Sequence, residues 1–120
     1  MNYPARVLNL LCTYNTVGTL DARGKTYSAW VFVPFVPGTS YTGSYCRLRA
    51  FDDSFNLSSK SGQKSITSTN AGSWVQLSAV FSNSTVNSHI YEIAVDCKLP
   101  NSWMSSDPSK NWFVDNVKIQ

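Results

Sequence analysis

The run of β-branched and aromatic residues at positions 26–33 constrains the fold of this chain more than any other stretch. Side chains of a strand alternate between its two faces, so this segment has one apolar face and one mixed face. The apolar face holds Tyr27, Ala29, Val31 and Val33, and the mixed face holds Ser28, Trp30 and Phe32. Aromatic rings on a partly hydrated face need either a covering apolar layer or a flat ligand that stacks on them.

Six further segments predict strands, because they alternate in polarity or are rich in apolar residues. These segments are residues 6–14, 44–52, 64–69, 74–81, 89–97 and 111–119. Loops rich in glycine, serine and proline separate them, and no segment has apolar residues at helical spacing between capping residues. The sequence therefore predicts an all-β fold, an antiparallel β-sandwich of the jelly-roll kind.

Composition limits the classes of partner. A chain of 120 residues with 42% hydrophobic and 14% charged residues is predicted to form one ordered domain over residues 1–120. The net charge of +3 comes from scattered lysines and arginines, so nucleic acid is not an expected partner. No apolar run approaches the ~18 residues of a membrane span, and no membrane partner is expected.

Three cysteines, Cys12, Cys46 and Cys97, lie far apart in the sequence. This number and spacing fit neither a disulfide framework nor a CxxC metal knuckle. Each lies in a predicted strand, which favours three free thiols buried as small apolar side chains. One disulfide stays open as an alternative if two of these strands are neighbours.

Three motifs occur in an order that resembles a known group of domains. They are Lys-Thr-Tyr-Ser-Ala-Trp-Val at 25–31, Ser-Trp-Val-Gln-Leu-Ser at 73–78 and Trp-Phe-Val-Asp-Asn-Val at 112–117. This series resembles the β-sandwich carbohydrate-binding modules of families four, nine and twenty-two, over about residues 6–120. The family's opening segment, ending in Gly-Phe-Glu, is missing, which leaves open whether an N-terminal strand is lacking. Asn116 stands where the family has a second aspartate.

The resemblance implies a galactose-binding-like jelly roll that binds a polysaccharide or oligosaccharide without catalysing a reaction. Such a module attaches a secreted or cell-surface, glycan-degrading modular enzyme to its β-glucan, xylan or mannan. It also implies a structural calcium ion, with Asp115 as the ligand that this sequence offers.

The alternation of the strands suggests a sugar site on one sheet face. Trp30 is the expected stacking residue, since pyranose C–H faces stack on indole rings, and charged side chains are expected to bond the sugar hydroxyls. The charged candidates are Arg47, Arg49, Glu92 and Asp96, with Tyr45 as a wall of the cleft. The alternative is that the arginines only pair with the carboxylates across the sheet, contributing ~0–1 kcal/mol if exposed. Trp103 is either a platform at a loop tip or a plug over the end of the sandwich.

Catalysis is not expected from this sequence. The only histidine, His89, has no local partner pattern for nucleophilic chemistry. Glu92 and Asp96 would lie ~13 Å apart on one strand, too far for either usual glycosidase mechanism. The alternative function is a protein-interaction or adhesion sandwich of a surface or tail-fibre protein, with Trp30 and Phe32 buried against the partner.

Overall fold

The computed structural model describes residues 2–3, 12–15, 24–52, 62–80, 90–100, 102–103 and 107–119. These residues form eight β-strands in two antiparallel sheets. The strands are β1 (Asn2–Tyr3), β2 (Cys12–Asn15), β3 (Thr26–Phe32), β4 (Tyr45–Asp52), β5 (Gly62–Ser65), β6 (Trp74–Val80), β7 (Ile90–Lys98) and β8 (Trp112–Ile119). The described ranges hold no α-helix, only a 3-10 turn at Pro108–Lys110, and the prediction of an all-β chain is confirmed.

Each sheet contains strands that are distant in the sequence. The first sheet has the order β1-β8-β3-β6, and the second has the order β2-β7-β4-β5. Within the first sheet, β3 pairs along its whole length with β6 on one side and, between Tyr27 and Phe32, with β8 on the other. Within the second sheet, β4 lies between β5 and β7. β3 and β4 are consecutive strands, yet they belong to different sheets.

The buried apolar residues of both sheets form one cluster. Its fully buried members from the first sheet are Tyr27, Ala29, Val31, Leu77 and Trp112, and those from the second are Cys46, Leu48 and Val95. Each sheet therefore has one face turned toward this shared core and one outer face. The predicted core face of the 26–33 segment is confirmed.

One strand lies earlier than predicted. Residues 64–69 were expected to form a strand, but β5 is Gly62–Ser65. The chain turns after Ile66, because the side chains of Thr67 and Asn70 hydrogen-bond to nearby backbone. The Thr67 N–H donates to Asn70 Oδ1 at 2.8 Å, and Asn70 Nδ2 donates to the Ser65 carbonyl at 2.9 Å. Local side-chain bonds of this kind compete with strand pairing.

Cys46 and Cys97 form a disulfide on the core face of the second sheet. They face each other directly on β4 and β7, with their Cα atoms 4.0 Å apart. The favoured expectation of free thiols is wrong for these two residues, and the alternative of one disulfide is confirmed. Cys12 lies on β2 opposite Val95.

A β-bulge in β8 changes which side chains face the core. Ser28 pairs with Lys118 and Trp30 with Asp115, so two steps on β3 correspond to three on β8. The backbone of Asn116 has a φ of 53°, in the left-handed region. Because of the extra residue, Val117 packs against the core and Lys118 is exposed. Regular alternation would put Val117 on the face of Phe113 and Asp115, and the bulge moves it to the opposite face.

Candidate functional site

The predicted sugar site is not assembled as expected. Trp30 lies on the outer face of the first sheet and is partly exposed. Arg47, Arg49 and Asp96 lie on the outer face of the second sheet, because β4 pairs with β7 and not with β3. Trp30 is therefore outward-facing as predicted, but it belongs to a different sheet from the charged side chains that were expected beside it.

The three charged residues of the second sheet form one ion cluster. Arg47 Nε and Nη2 donate to the two oxygens of Asp96 at 2.8 and 3.1 Å, and Arg49 Nη2 donates to Oδ2 at 2.7 Å. The Asp96 side chain is 2% exposed, and those of Arg47 and Arg49 are 29% and 19% exposed. The hydrogen bond to Asp96 raises the pKa of the Arg47 guanidinium above its ordinary value. The pairing of arginine with carboxylate across the sheet is therefore confirmed.

This cluster engages the donors that were expected to bind sugar hydroxyls. Arg47 donates to Asp96 from one edge of its guanidinium, through Nε and Nη2, and its guanidinium carbon lies 5.7 Å from the centre of the Tyr45 ring. Charge-assisted bidentate bonds of this length hold a side chain in one orientation. Tyr45 is thus part of the cluster. Glu92 lies on β7 opposite Phe51, and its side chain is outside the described residues.

Trp103 is a buried side chain, as the alternative of a plug predicts, and not an exposed platform. Its side chain is 1% exposed and packs edge-on against Tyr41, with ring centres 5.7 Å apart. The indole N–H donates to Thr39 Oγ1 at 3.4 Å. A ring buried to this extent offers no free face for stacking, so Trp103 does not form the predicted loop-tip platform.

Asp115 does not fit a calcium site among the described residues. It is exposed on the outer face of the first sheet, where its Oδ1 accepts the N–H of Asn116 at 2.8 Å. Within the ranges that the structure describes, no three His, Cys, Asp or Glu side chains form a metal-binding group. Calcium takes six to eight oxygen ligands, which one carboxylate does not supply.

The outer face of the first sheet carries a row of aromatic side chains. Trp74, Phe32 and Phe113 face each other across β6, β3 and β8. The Phe32 ring centre is 5.6 Å from that of Trp74 and 6.1 Å from that of Phe113, with the rings tilted by 56° and 68°. Trp74 is 48% exposed and Phe113 is 36% exposed. We call these three residues the aromatic row.

The next set of residues that face each other across β6, β3 and β8, which we call the polar rung, lies directly beside the aromatic row. Gln76 and Asp115 flank Trp30 on the neighbouring strands, and both are exposed. Residues two apart on a strand share a face and lie about 7 Å apart, so the indole of Trp30 extends the aromatic row toward these polar groups. The face thus combines rings for stacking with an amide and a carboxylate for directional hydrogen bonds.

Sequence reasoning missed Trp74 and Phe113 as candidate site residues. Trp112 is fully buried in the core, whereas Trp74 is half exposed. The alternation of 74–81, with Val75 and Leu77 turned inward, already indicated that Trp74 faces outward. Alternation likewise groups Phe113 with the exposed Asp115, because the bulge in β8 lies beyond Asp115.

A cavity of about 330 Å³ lies at one end of the sheets, between the loop after β3 and the loop after β5. Hydroxyl side chains line it, among them Thr39, Thr42 and Ser68, with Tyr41 and Ile66 beneath. The described residues that line this cavity carry no charged side chain, which is the chemistry of a site for water or a small uncharged polar molecule.

None of the described residues belongs to a helix with the length and hydropathy of a membrane span. Comparison of the chain with models of protein families, with curated proteins and with solved structures finds no match.

Proposed function

We propose that this chain is a non-catalytic carbohydrate-binding module whose ligand face is the outer face of the first sheet. The observation that carries the proposal is the aromatic row, with Trp74, Phe32 and Phe113 crossing three adjacent strands. Aromatic side chains at this exposure are a candidate binding surface, since soluble domains rarely leave contiguous apolar patches uncovered without a function.

The chemistry of the face suits a polysaccharide. A pyranose ring presents apolar C–H groups that stack on aromatic rings, and its hydroxyls need directional donors and acceptors. The aromatic row and Trp30 supply the stacking surface, and the exposed amide of Gln76 supplies a donor and an acceptor at its border. The Asp96 cluster plays no part in this proposal, because its arginines are engaged with a buried carboxylate.

The proposal includes the architecture and setting of the module. The two sheets would pack as a jelly-roll β-sandwich, which is supported by one hydrophobic cluster drawn from both sheets and by the family resemblance. The parent protein would be a secreted or cell-surface glycan-degrading enzyme. The Cys46–Cys97 disulfide supports this setting, since structural disulfides persist in oxidising compartments.

The test is affinity electrophoresis of the wild type and of Trp74→Ala on soluble β-glucan, xylan and mannan. Removing a ring that stacks on a sugar should weaken binding about tenfold or more, because ~60 Å² of buried apolar surface contributes about 1.5 kcal/mol. The matched control is Val80→Ala, which truncates an apolar side chain, 57% exposed, on the same face and strand but away from the aromatic row.

Thermal unfolding separates a binding defect from a folding defect. Trp74→Ala should melt close to the wild type, because the side chain is half exposed, whereas Trp103→Ala should lose several kcal/mol of stability as a buried-ring truncation. Equal retardation of Trp74→Ala and wild type would contradict the proposed face. Absence of retardation on every glycan would contradict the proposed function.

A protein-binding face is the second candidate, and one observation favours it. Phe35, at 51% exposure, and Val80, at 57%, are also exposed apolar side chains, so exposed apolar surface is not confined to the aromatic row. In that case this chain would be an interaction or adhesion domain of a surface or tail-fibre protein. A partner chain would then cover Trp30 and Phe32. Failure to bind any glycan would favour this candidate.

A further inference from the structure

We infer that the bulge in β8 supplies the specificity of this face, with Asp115 and Asn116 hydrogen-bonding an uncharged sugar that lies beside Trp30. The inference rests on the proposed function and assigns new roles to Asp115, on that face, and to its neighbour Asn116, which is exposed at the bulge. The resemblance offers Asp115 as a calcium ligand, but its surroundings instead place it on the proposed ligand face.

The bulge concentrates polar side chains at one point of the face. Where β3 takes two steps, from Ser28 to Trp30, β8 takes three, and Asp115 and Asn116 are both exposed at that point. Bulges are frequent next to binding sites, where they redirect a side chain or interrupt the pairing of strands. Asn116 adopts a φ of 53°, which few residues other than glycine tolerate, and asparagine is among those that do.

The carboxylate of Asp115 is held in position and keeps acceptor capacity. Its Oδ1 accepts the Asn116 N–H at 2.8 Å, which restrains the side chain. A carboxylate has about four acceptor sites, so the one donor to Asp115 found among the described residues leaves room for two sugar hydroxyls. The Asn116 amide adds both a donor and an acceptor. Adjacent equatorial hydroxyls, each of which donates and accepts, match this pair.

The charge of this rung selects against acidic sugars. Asp115 lies on the rung of Trp30 and Gln76, whereas Lys118 lies one rung further on, beside Ser28. A uronate or sulfate group stacked near Trp30 would meet the Asp115 carboxylate at close range, and like charges that are brought together oppose binding. The face therefore favours neutral polysaccharides over uronates and sulfated glycans.

The experiment measures binding of wild type, Asp115→Asn and Asn116→Gly to neutral glycans and to polygalacturonate and alginate. Asp115→Asn should lose about tenfold in affinity for the neutral ligand, the lower range for a charge-assisted hydrogen bond. Asn116→Gly removes the amide but keeps the backbone, since glycine adopts positive φ readily, and it should lose a few-fold. Asp107→Asn removes one exposed carboxylate elsewhere and should bind as the wild type does.

Two results would overturn the inference while leaving the proposed function intact. One is unchanged neutral-glycan binding in Asp115→Asn and Asn116→Gly while Trp74→Ala loses it. The other is wild-type binding to uronates as strong as to neutral chains. If Asp115→Asn loses both glycan binding and thermal stability, the affinity of Asn116→Gly decides the question. A few-fold loss supports the inference, and unchanged binding contradicts it. If the wild type binds no glycan at all, the proposed function and this inference fall together.

Discussion

Replacing both Cys46 and Cys97 by alanine should lower the free energy of unfolding by about 4 kcal/mol. The two residues are 51 positions apart, so the cross-link closes a long loop in the unfolded chain. The chain-entropy relation for a loop of this length gives about 14 cal/mol/K, which corresponds to about 4 kcal/mol at room temperature. For a domain of this size the melting temperature should fall by about 15 °C.

The assay combines thiol counting with urea unfolding. Two of the three cysteines form the cross-link. The denatured, unreduced protein should therefore show one free thiol per chain. The double alanine variant and the reduced wild type should unfold at similar, lower urea concentrations. Cys12→Ala is the matched control, because it removes a cysteine and keeps the cross-link.

Two results would refute this reasoning. Three free thiols in the unreduced protein would show that the cross-link does not form. A double variant within about 0.5 kcal/mol of the wild type would show that the unfolded chain gains little freedom when the cross-link is removed, as happens when residual structure persists in that state.

Two further predictions concern the second sheet, both measured by urea unfolding. Asp96→Asn should cost about 2 kcal/mol, because it leaves two partly buried guanidinium groups without their shared carboxylate, and the partial exposure of the arginines reduces the effect from that of a fully buried pair. A loss of unfolding free energy below about 0.5 kcal/mol in Asp96→Asn would mean that water solvates the two guanidinium groups nearly as well as the carboxylate does. Gly62→Ala should cost about 1–3 kcal/mol, because the added Cβ would lie 2.6 Å from Leu48 Cβ. Ser65→Ala on the same strand, which is exposed, should be nearly neutral and serves as its control.

Local pattern was enough to find most of the strands. The predicted segments 26–33, 44–52, 74–81, 89–97 and 111–119 correspond to described strands whose ends differ by at most one residue. The alternation also gave the correct inward face of β3, and so the outward direction of Trp30. These features depend only on the polarity of residues that are close in the sequence.

Strand pairing could not be obtained in this way, and the predicted site failed for that reason. Trp30 and Arg47 both face outward, and alternation alone cannot tell whether two outward faces belong to the same sheet. β3 lies between β6 and β8, whereas β4 lies between β5 and β7. The same lack of pairing information left the Cys46–Cys97 disulfide undecided, since it depends on β4 and β7 being neighbours.

The bulge in β8 has a consequence for how this strand can change during evolution. Asn116 is the extra residue that lets Val117 turn inward and Lys118 turn outward. A chain without Asn116 would still alternate, with Asp115 outward, Val117 inward and Lys118 outward, and β8 would pair with β3 without a bulge. Loss of this one residue is therefore compatible with the pairing of the strand, whereas substitution at position 116 is restricted to residues that adopt positive φ, chiefly glycine, asparagine and aspartate.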